Sequence, residues 1–337
     1  MDQDKVTALI LQLLSLPGIG SASVLELLRE LDLQNRDTLS FEDLKDTCAA
    51  RVRKGLEDGT ITESFFASGA ETAKKVMDAC DRQAIRTITV YDPAYPANLK
   101  VLKNHPVLLY VRGNARVLQA KKSAAIIGTR EPAPFAERWA ESAGRWLCDR
   151  GYVIVGGLAR GCDTAGHRAA VRSGRPTIAI LGQGLGTEPY PEENASLAEE
   201  IVQTGGALVS EYVPWEKVSG HRLVERDAWQ AGISDGVISI ESMKNGGTLH
   251  AMNAALKYNR PLGILDHTAA AETLHDPDLA GLLQAEGLEM IAGKAQDRVY
   301  RLYSEESLGA FAVAMEEARR KRLQADEPLG SLREKKF

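Results

Sequence analysis

The alternation of apolar and polar residues changes character near residue 120. From Ser123 onward, short apolar and β-branched runs alternate with stretches whose apolar positions repeat at helical spacing. The runs are AAIIGT, YVIVGGL, TIAILGQG, ALVSEY, GVISIES and LGILD. Runs that are apolar without alternation are typical of strands buried on both faces, as in a parallel sheet between helical layers. The pattern therefore predicts an α/β fold with a doubly wound, mostly parallel Rossmann-like sheet.

A small helical domain is predicted ahead of the sheet. Residues 1–85 place Leu9, Ile10 and Leu13 on one apolar stripe, and the turn PGIG leads into a second helical pattern. This arrangement resembles a helix-hairpin-helix, whose turn can present backbone N–H groups to a phosphate. An ordinary corner between two helices is the alternative, and the scarcity of Lys and Arg beside the turn favours it.

Four segments follow from these patterns. We expect a helical domain with a helix-hairpin-helix-like turn at 1–85, an extended linker or edge segment at 86–120, a Rossmann-like domain at 121–300, to which the family resemblance given below assigns DNA binding, and a C-terminal helix with a charged tail at 301–337. The segment 86–120 is punctuated by prolines, which disfavour helix interiors and central strands.

Composition narrows the possible functions. The formal net charge is -5, so binding to nucleic acid would need a local cluster of basic residues. The four cysteines lie far apart and none has His partners at metal-binding spacing, which indicates reduced thiols, a cytoplasmic location and no metal site. No G-x-G-x-x-G follows the first strand and no P-loop occurs, so no cofactor is expected. The N-terminus has neither a signal-peptide nor a membrane-span pattern.

Candidate chemistry lies in glycine-rich loops that follow the predicted strands. In doubly wound folds, ligands bind at the carboxyl ends of the strands, near the point where the strand order reverses. The residues predicted to hold phosphates there are Gly128, Thr129, Arg130, Gly157, Arg160, Gly161, Arg226, Lys244, Gly247 and Thr248. Asp163 is predicted to cap the next helix and His167 to support the pocket. The alternative reading is structural: glycines that only allow packing, and an Asp and a His that only satisfy local hydrogen bonds.

The order of motifs along the chain resembles that of the DNA-processing protein A family. YDPAYPANLKVLKNHPVLLYVRGN is similar to that family's entry segment, and AAIIGTR to its first strand and turn. VIVGGLARGCDTAGHRAAVRSGRPTIAILGQGL is similar to its longest signature, and YPEEN and GGALVSEY follow in the expected order. The leading helical region with PGIG also fits.

The resemblance implies a protein that is not an enzyme. Members bind single-stranded DNA, help to load RecA recombinase onto it during natural transformation, and form homodimers through the Rossmann-like domain. Two departures stand out. Asp227 and Ala228 replace an Asn and an Arg of the family's arginine motif, so that one cation is lost and an anion gained, and His250 replaces a Thr. Fewer cations should weaken binding to a DNA backbone.

Two other functions remain open at this point. The wider Rossmann-like superfamily includes nucleotide sensors and enzymes that cleave nucleotides, but Ala251 and Met252 stand where those enzymes carry a catalytic Glu. Asp163 with His167 could substitute for that group. An accessory role in defence is a third possibility, and only the altered arginine motif supports it.

Overall fold

The computed structural model describes residues 3–31, 38–243, 246–274, 291 and 293–325. The predicted charged tail falls on residues 326–337, which lie outside the described residues. Among the helices that are described, none is long and apolar enough to cross a membrane.

The chain begins with a group of helices. They are α1 (Gln3–Leu14), α2 (Ser21–Glu30), α3 (Glu42–Lys45), α4 (Ala50–Glu57) and α5 (Glu63–Arg82). α1 and α2 are joined by a turn in which Gly18 has φ 72°, a left-handed conformation that glycine adopts without strain. Arg51 of α4 donates a hydrogen bond to the Gly18 carbonyl (3.3 Å), so a cation does reach this turn from a distant helix.

A nine-stranded sheet follows. Its strands are β1 (Arg86–Thr89), β2 (Leu108–Gly113), β3 (Ser123–Ile127), β4 (Val153–Gly156), β5 (Thr177–Ile180), β6 (Ala207–Ser210), β7 (Gly236–Ser239), β8 (Leu262–Leu265) and β9 (Val299–Leu302). The spatial order is β1-β2-β6-β5-β4-β3-β7-β8-β9, with antiparallel pairing only between β1 and β2 and between β2 and β6. The predicted doubly wound, mostly parallel sheet is confirmed, and β1, β2 and β9 extend its two edges beyond the six strands that the sequence pattern predicted.

Helices cover both faces of this sheet. They are α6 (Ala97–Lys100), α7 (Pro134–Asp149), α8 (Cys162–Arg172), α9 (Ala195–Gln203), α10 (Gly220–Ile233), α11 (Thr248–Lys257), α12 (His267–Leu274) and α13 (Glu305–Ala325). Within β3, Ala124 and Ile126 belong to one hydrophobic cluster while Ala125 and Ile127 belong to the other. Both faces of the strand are therefore buried, which explains its unbroken apolar run.

A buried cluster of charges ties the last helix to the sheet. Asp235, just before β7, receives hydrogen bonds from Arg319 (3.0 Å) and Arg322 (2.9 Å) of α13. Asn98 of α6 donates to the same carboxylate (2.9 Å), and Arg260 donates to the Asn98 carbonyl (2.8 Å). One carboxylate thus joins α6, β7 and α13.

The strand order reverses beside β3. From β3 the chain proceeds outward through β4, β5 and β6, and then returns to place β7 and β8 on the other side of β3. The loops that follow β3 and β7 therefore diverge and leave a crevice at the carboxyl ends of these strands.

Candidate nucleic-acid interface

A cavity of about 450 Å³ occupies this crevice. It falls within the size range of small-ligand sites. The predicted residues that line it are Gly128, Thr129, Arg130, Asp163, Arg226, Gly247 and Thr248. Loops from separate parts of the chain therefore converge at one edge of the sheet.

The remaining predicted residues lie at or behind the cavity wall. Arg160 lines a small adjoining cleft that also touches Arg130 and Arg226. Gly157 and Gly161 do not line the cavity: Gly157 packs against Arg226, and Gly161 packs against the backbone of the loop after β3. Lys244 lies outside the described residues.

The loop after β3 is held by its backbone. The Thr129 N–H donates to the Glu241 carbonyl beyond β7 (2.8 Å), and the Thr129 carbonyl accepts from Cys162 N–H at the start of α8 (3.2 Å). A Cβ on Gly128 would overlap Cys162 Sγ, so only glycine fits there without a shift. The anchored loop carries Arg130 to the cavity rim. Arg130 is exposed, and no described residue forms an ion pair or hydrogen bond with its side chain.

Asp163 supports the pocket but does not cap α8. The prediction of a cap is wrong, because Gly161 occupies the N-cap position of α8 and the start of this helix has no capping hydrogen bond from a side chain. Instead the Asp163 carboxylate turns back and accepts hydrogen bonds from the N–H groups of Gly157 (2.7 Å) and Ala159 (3.5 Å). Burial raises its pKa to about 6, although the Arg226 guanidinium and these N–H donors pull the pKa down.

Arg226 forms the floor of the cavity and is almost fully buried. Its Nη1 donates to the Ile180 carbonyl (3.1 Å) and lies 4.0 Å from Asp163 Oδ2, while its Nε lies 3.2 Å from Asp227 Oδ1. A Cβ on Gly157 would overlap Nη1, so this glycine makes room for the guanidinium. Two carboxylates therefore offset the charge of Arg226, which limits the attraction it can exert on a phosphate.

His167 is fully buried and packs against Gly156 at the end of β4. Its Nδ1 lies 2.8 Å from Thr177 Oγ1, and Thr177 in turn donates to the Ile154 carbonyl. Because the Thr hydroxyl proton is used there, Nδ1 carries the proton of the neutral ring. Burial, together with the nearby positive charge of Arg226, lowers the pKa of His167 to about 3. The ring packs behind Gly156 and does not line the cavity.

Two further polar residues shape the site. Gln230, one turn after Arg226 on α10, lines the cavity, and its Nε2 donates to Asp227 Oδ1 (2.9 Å). Glu241 accepts from Ala133 N–H (2.9 Å) through its carboxylate. The sequence reading did not single out either residue. The spacing of Gln230 from Arg226 and Asp227 on one helix was the available signal.

The electrostatics of the cavity are mixed. Arg130 and Arg226 face Asp163, Asp227 and Glu131, so charged side chains alone give no positive excess. α11 begins at Thr248 with no side-chain cap, and the N-terminus of a helix favours an anion. No three His, Cys, Asp or Glu side chains converge at metal-binding distance in the described part of the chain. Arg130 and the start of α11 are thus the main anion-attracting groups.

Comparison of sequences identifies relatives of one kind. Residues 86–280 match the model of the DNA recombination-mediator protein A family. The DNA processing protein DprA of Bacillus subtilis is 30% identical over 61% of this chain and 67% of its own length. Protein Smf of Escherichia coli is 34% identical over 49% of this chain and 44% of its own length.

Solved structures give the same grouping. DNA processing protein A from Streptococcus pneumoniae superposes with a TM-score of 0.69 at 25% identity, covering 90% of this chain and 97% of its own. DNA processing protein A from Helicobacter pylori, described for its single-stranded DNA binding mode, gives 0.54 at 26% identity over 68% of this chain and 94% of its own. The similarity to the Streptococcus pneumoniae structure extends beyond the matched domain.

Proposed function

The chain belongs to the DNA recombination-mediator protein A family, and from this premise we propose that it binds single-stranded DNA at the switch-point cavity. The relative from Helicobacter pylori is described as binding single-stranded DNA. The cavity in this chain lies within the matched residues 86–280. In this proposal the protein is a recombination mediator that acts on DNA taken up during transformation.

The observation that carries the proposal is the state of Arg130. Its guanidinium stands exposed at the cavity rim without an ion-pair partner in the described chain, close to the uncapped start of α11. A free guanidinium can grip a phosphate with two parallel hydrogen bonds. Because Arg130 has no ion-pair partner among the described residues, it can bind a phosphate without first breaking an ion pair within the protein.

The adjoining cleft provides a path for the strand beyond the first phosphate. Arg160 lines it, with Glu193 3.7 Å away, and Tyr190 beside it is 41% exposed. Single-stranded binders combine basic grooves with aromatic rings on which bases stack. We therefore place the backbone between Arg130 and Arg160, with one base near Tyr190.

Loading of RecA recombinase and homodimer formation are part of the same proposal. They rest on the family resemblance. In this proposal the protein binds DNA and does not catalyse a reaction. The alternative acid–base pair of Asp163 and His167 has little support, because the neutral His167 ring lies outside the cavity lining and is hydrogen-bonded to Thr177.

Fluorescence anisotropy with a labelled single-stranded oligonucleotide, titrated at several salt concentrations, tests the proposal. Each phosphate contact to single-stranded DNA contributes about 0.7 to the slope of log K against log salt. Arg130→Ala should lower the slope by about that amount. Arg172→Ala is the matched control, because Arg172 ends α8 far from the cavity and is paired with Glu141. Wild-type protein that binds no single strand at low salt would overturn the proposal.

A further inference from the structure

The charge cluster that ties α13 to the sheet holds more positive than negative charge. The guanidinium groups of Arg260, Arg319 and Arg322 surround one carboxylate, that of Asp235. In the part of the chain that the structure describes, no other carboxylate forms an ion pair with these three arginines. Three cations against one anion leave an excess of two positive charges. We call this group the arginine cluster.

Asp235 has no capacity left to balance the excess. Its Oδ1 accepts hydrogen bonds from Arg319 (3.0 Å), Arg322 (2.9 Å) and the Asn98 amide (2.9 Å). Its Oδ2 accepts from the Ser123 N–H (3.0 Å). The Asp235 side chain is only 2% exposed, so water screens these charges little.

Arg322 is the member of the cluster that lacks acceptors. Its side chain is 10% exposed, and only Nη2 is bonded, to Asp235 and to Asn98 Oδ1 (3.1 Å). Nε and Nη1 are buried, and nothing in the described chain accepts a hydrogen bond from either atom. Arg260 differs, because it donates to four main-chain carbonyls, those of Asn98, Ala231, Gly232 and Tyr258.

The unbonded nitrogens of Arg322 belong to a charged group. Burial, together with the positive charge of Arg319 and against the attraction of Asp235, lowers the pKa of Arg322 to about 10, so the side chain is still a cation at neutral pH. Buried donors without acceptors are costly, most of all on a charged group. The missing component is therefore an anion that accepts hydrogen bonds.

A small cleft borders the arginine cluster. Asn98, Ser123 and Arg319 line it together with apolar side chains such as Ile178 and Ile233. Its volume of about 10 Å³ is close to the smallest that holds one water molecule. A tetrahedral phosphate is too large for this space, whereas a flat carboxylate can insert one oxygen. A carboxylate also matches the planar fork of a guanidinium.

We propose that the arginine cluster binds one carboxylate group, with Arg322 as its principal donor. The bound group lowers the excess from two positive charges to one and strengthens the attachment of α13 to the sheet. The site lies at the start of β7, and the crevice lies at the other end of this strand, so it is separate from the proposed DNA site. Two sources offer the carboxylate: a small carboxylate in solution, or Asp326 and Glu327, which follow α13 directly in the sequence.

The decisive experiment removes the internal source and supplies the external one. In the Asp326→Asn/Glu327→Gln variant of the whole chain, the site is open to acetate whichever source fills it in the wild type. Saturation-transfer NMR from the protein to the acetate methyl protons should therefore show binding at pH 7.5. Adding Arg322→Lys, which keeps the charge but removes the unbonded donors, should abolish the transfer. Absence of transfer before Arg322→Lys is added, or equal transfer after it, would overturn the carboxylate site.

Melting temperatures then distinguish the two sources. A ligand that binds only the folded protein raises its melting temperature, and we expect a shift of about 2–4 °C in acetate relative to chloride at equal ionic strength. If the solution supplies the carboxylate, the wild type shows this shift. If Asp326 or Glu327 supplies it, the double variant melts about 2–4 °C below the wild type in chloride, and acetate restores the loss.

A matched control separates the site from general effects of salt. Arg320 lies on the same helix, is exposed and has no ion-pair partner among the described residues. Arg320→Lys should leave the response to acetate intact, while Arg322→Lys should remove it. Equal responses in the two variants would show that acetate acts on the protein in general, and would overturn the role of Arg322. None of these measurements depends on the binding of DNA.

Discussion

Arg226→Met tests whether Arg226 acts as a buried counter-ion for the pocket. Methionine keeps most of the length of the side chain and removes its charge. The side chains of Arg226 and Asp163 are 5% and 6% exposed, so the variant leaves Asp163 as a buried carboxylate without its cation. Breaking a buried pair by removing one partner costs about 3–5 kcal/mol. Two features favour the lower end of this range. The two charged groups are 4.0 Å apart, and Asp163 keeps its hydrogen bonds from Gly157 and Ala159. We therefore expect the variant to lose about 3 kcal/mol of unfolding free energy at pH 8.

The loss should depend on pH in a defined direction. The pKa of Asp163 is raised to about 6 in the folded protein from an ordinary value of 3.8. Above pH 6 the folded carboxylate is ionised and gains from Arg226, and as the pH falls through 6 it takes up a proton and that gain disappears. At pH 5 only the hydrogen bond to the Ile180 carbonyl and the contact with Asp227 should remain, together worth about 1 kcal/mol.

Urea denaturation followed by tryptophan fluorescence measures this difference. All four tryptophans lie between residues 139 and 229, so the signal reports on the sheet domain. The double variant Asp163→Asn/Arg226→Met should recover part of the loss at pH 8, because the uncompensated carboxylate is gone. A loss for Arg226→Met that is equal at pH 5 and pH 8, or below about 1 kcal/mol at pH 8, would refute the counter-ion role.

Three other predictions concern the same region and the thiols. Affinity for single-stranded DNA should rise as the pH falls from 7.5 to 5.5, because Asp163, whose pKa is about 6, then loses its negative charge. Anisotropy titrations at constant ionic strength measure this rise. The rise should be smaller in the Asp163→Asn variant, which has no charge to lose at this position. Gly128→Ala should lower the unfolding free energy by about 1–3 kcal/mol, because its Cβ would overlap Cys162 Sγ. Adding Cys162→Ala should restore part of that loss, and thermal melts that show no restoration would contradict the packing. Only Cys48 should react with a thiol reagent in the folded protein, because Cys80, Cys148 and Cys162 are buried and burial raises the pKa of each of these three thiols. Mass spectrometry after brief labelling would count the modified sites.

The central sheet could be predicted from the sequence because burial on both faces leaves a local signal. Every residue of β3 is buried, and its apolar run is visible without knowledge of its neighbours. β1 and β9 each have exposed or half-buried positions and no unbroken buried run, so their local pattern is weak. β2 is apolar, but it stands among prolines, and its pairing with β1 and β6 joins distant parts of the chain.

The position of the cavity could be predicted better than the contacts within it, and the binding role of its residues stays a prediction. Glycines after strands mark the crevice, and Gly128, Thr129 and Arg130 do line it. The side chain of Asp163 could not be placed from spacing alone, because its hydrogen bonds run back to the preceding loop and not to the helix start. The burial of Arg226 depends on the space that Gly157 leaves and on carboxylates from two elements, which only the folded arrangement brings together.

The Asp235 carboxylate, which α6, β7 and α13 share, makes α13 necessary for the stability of the sheet. A chain shortened before Arg319 would strand Asp235 in the interior with neither of the two cations that now reach it from α13. Such a fragment would leave the buried Asp235 carboxylate, at the start of β7, without two of the cations that offset its charge, and the other end of this strand borders the crevice. A fragment intended to isolate the sheet should therefore retain the chain through at least Arg322.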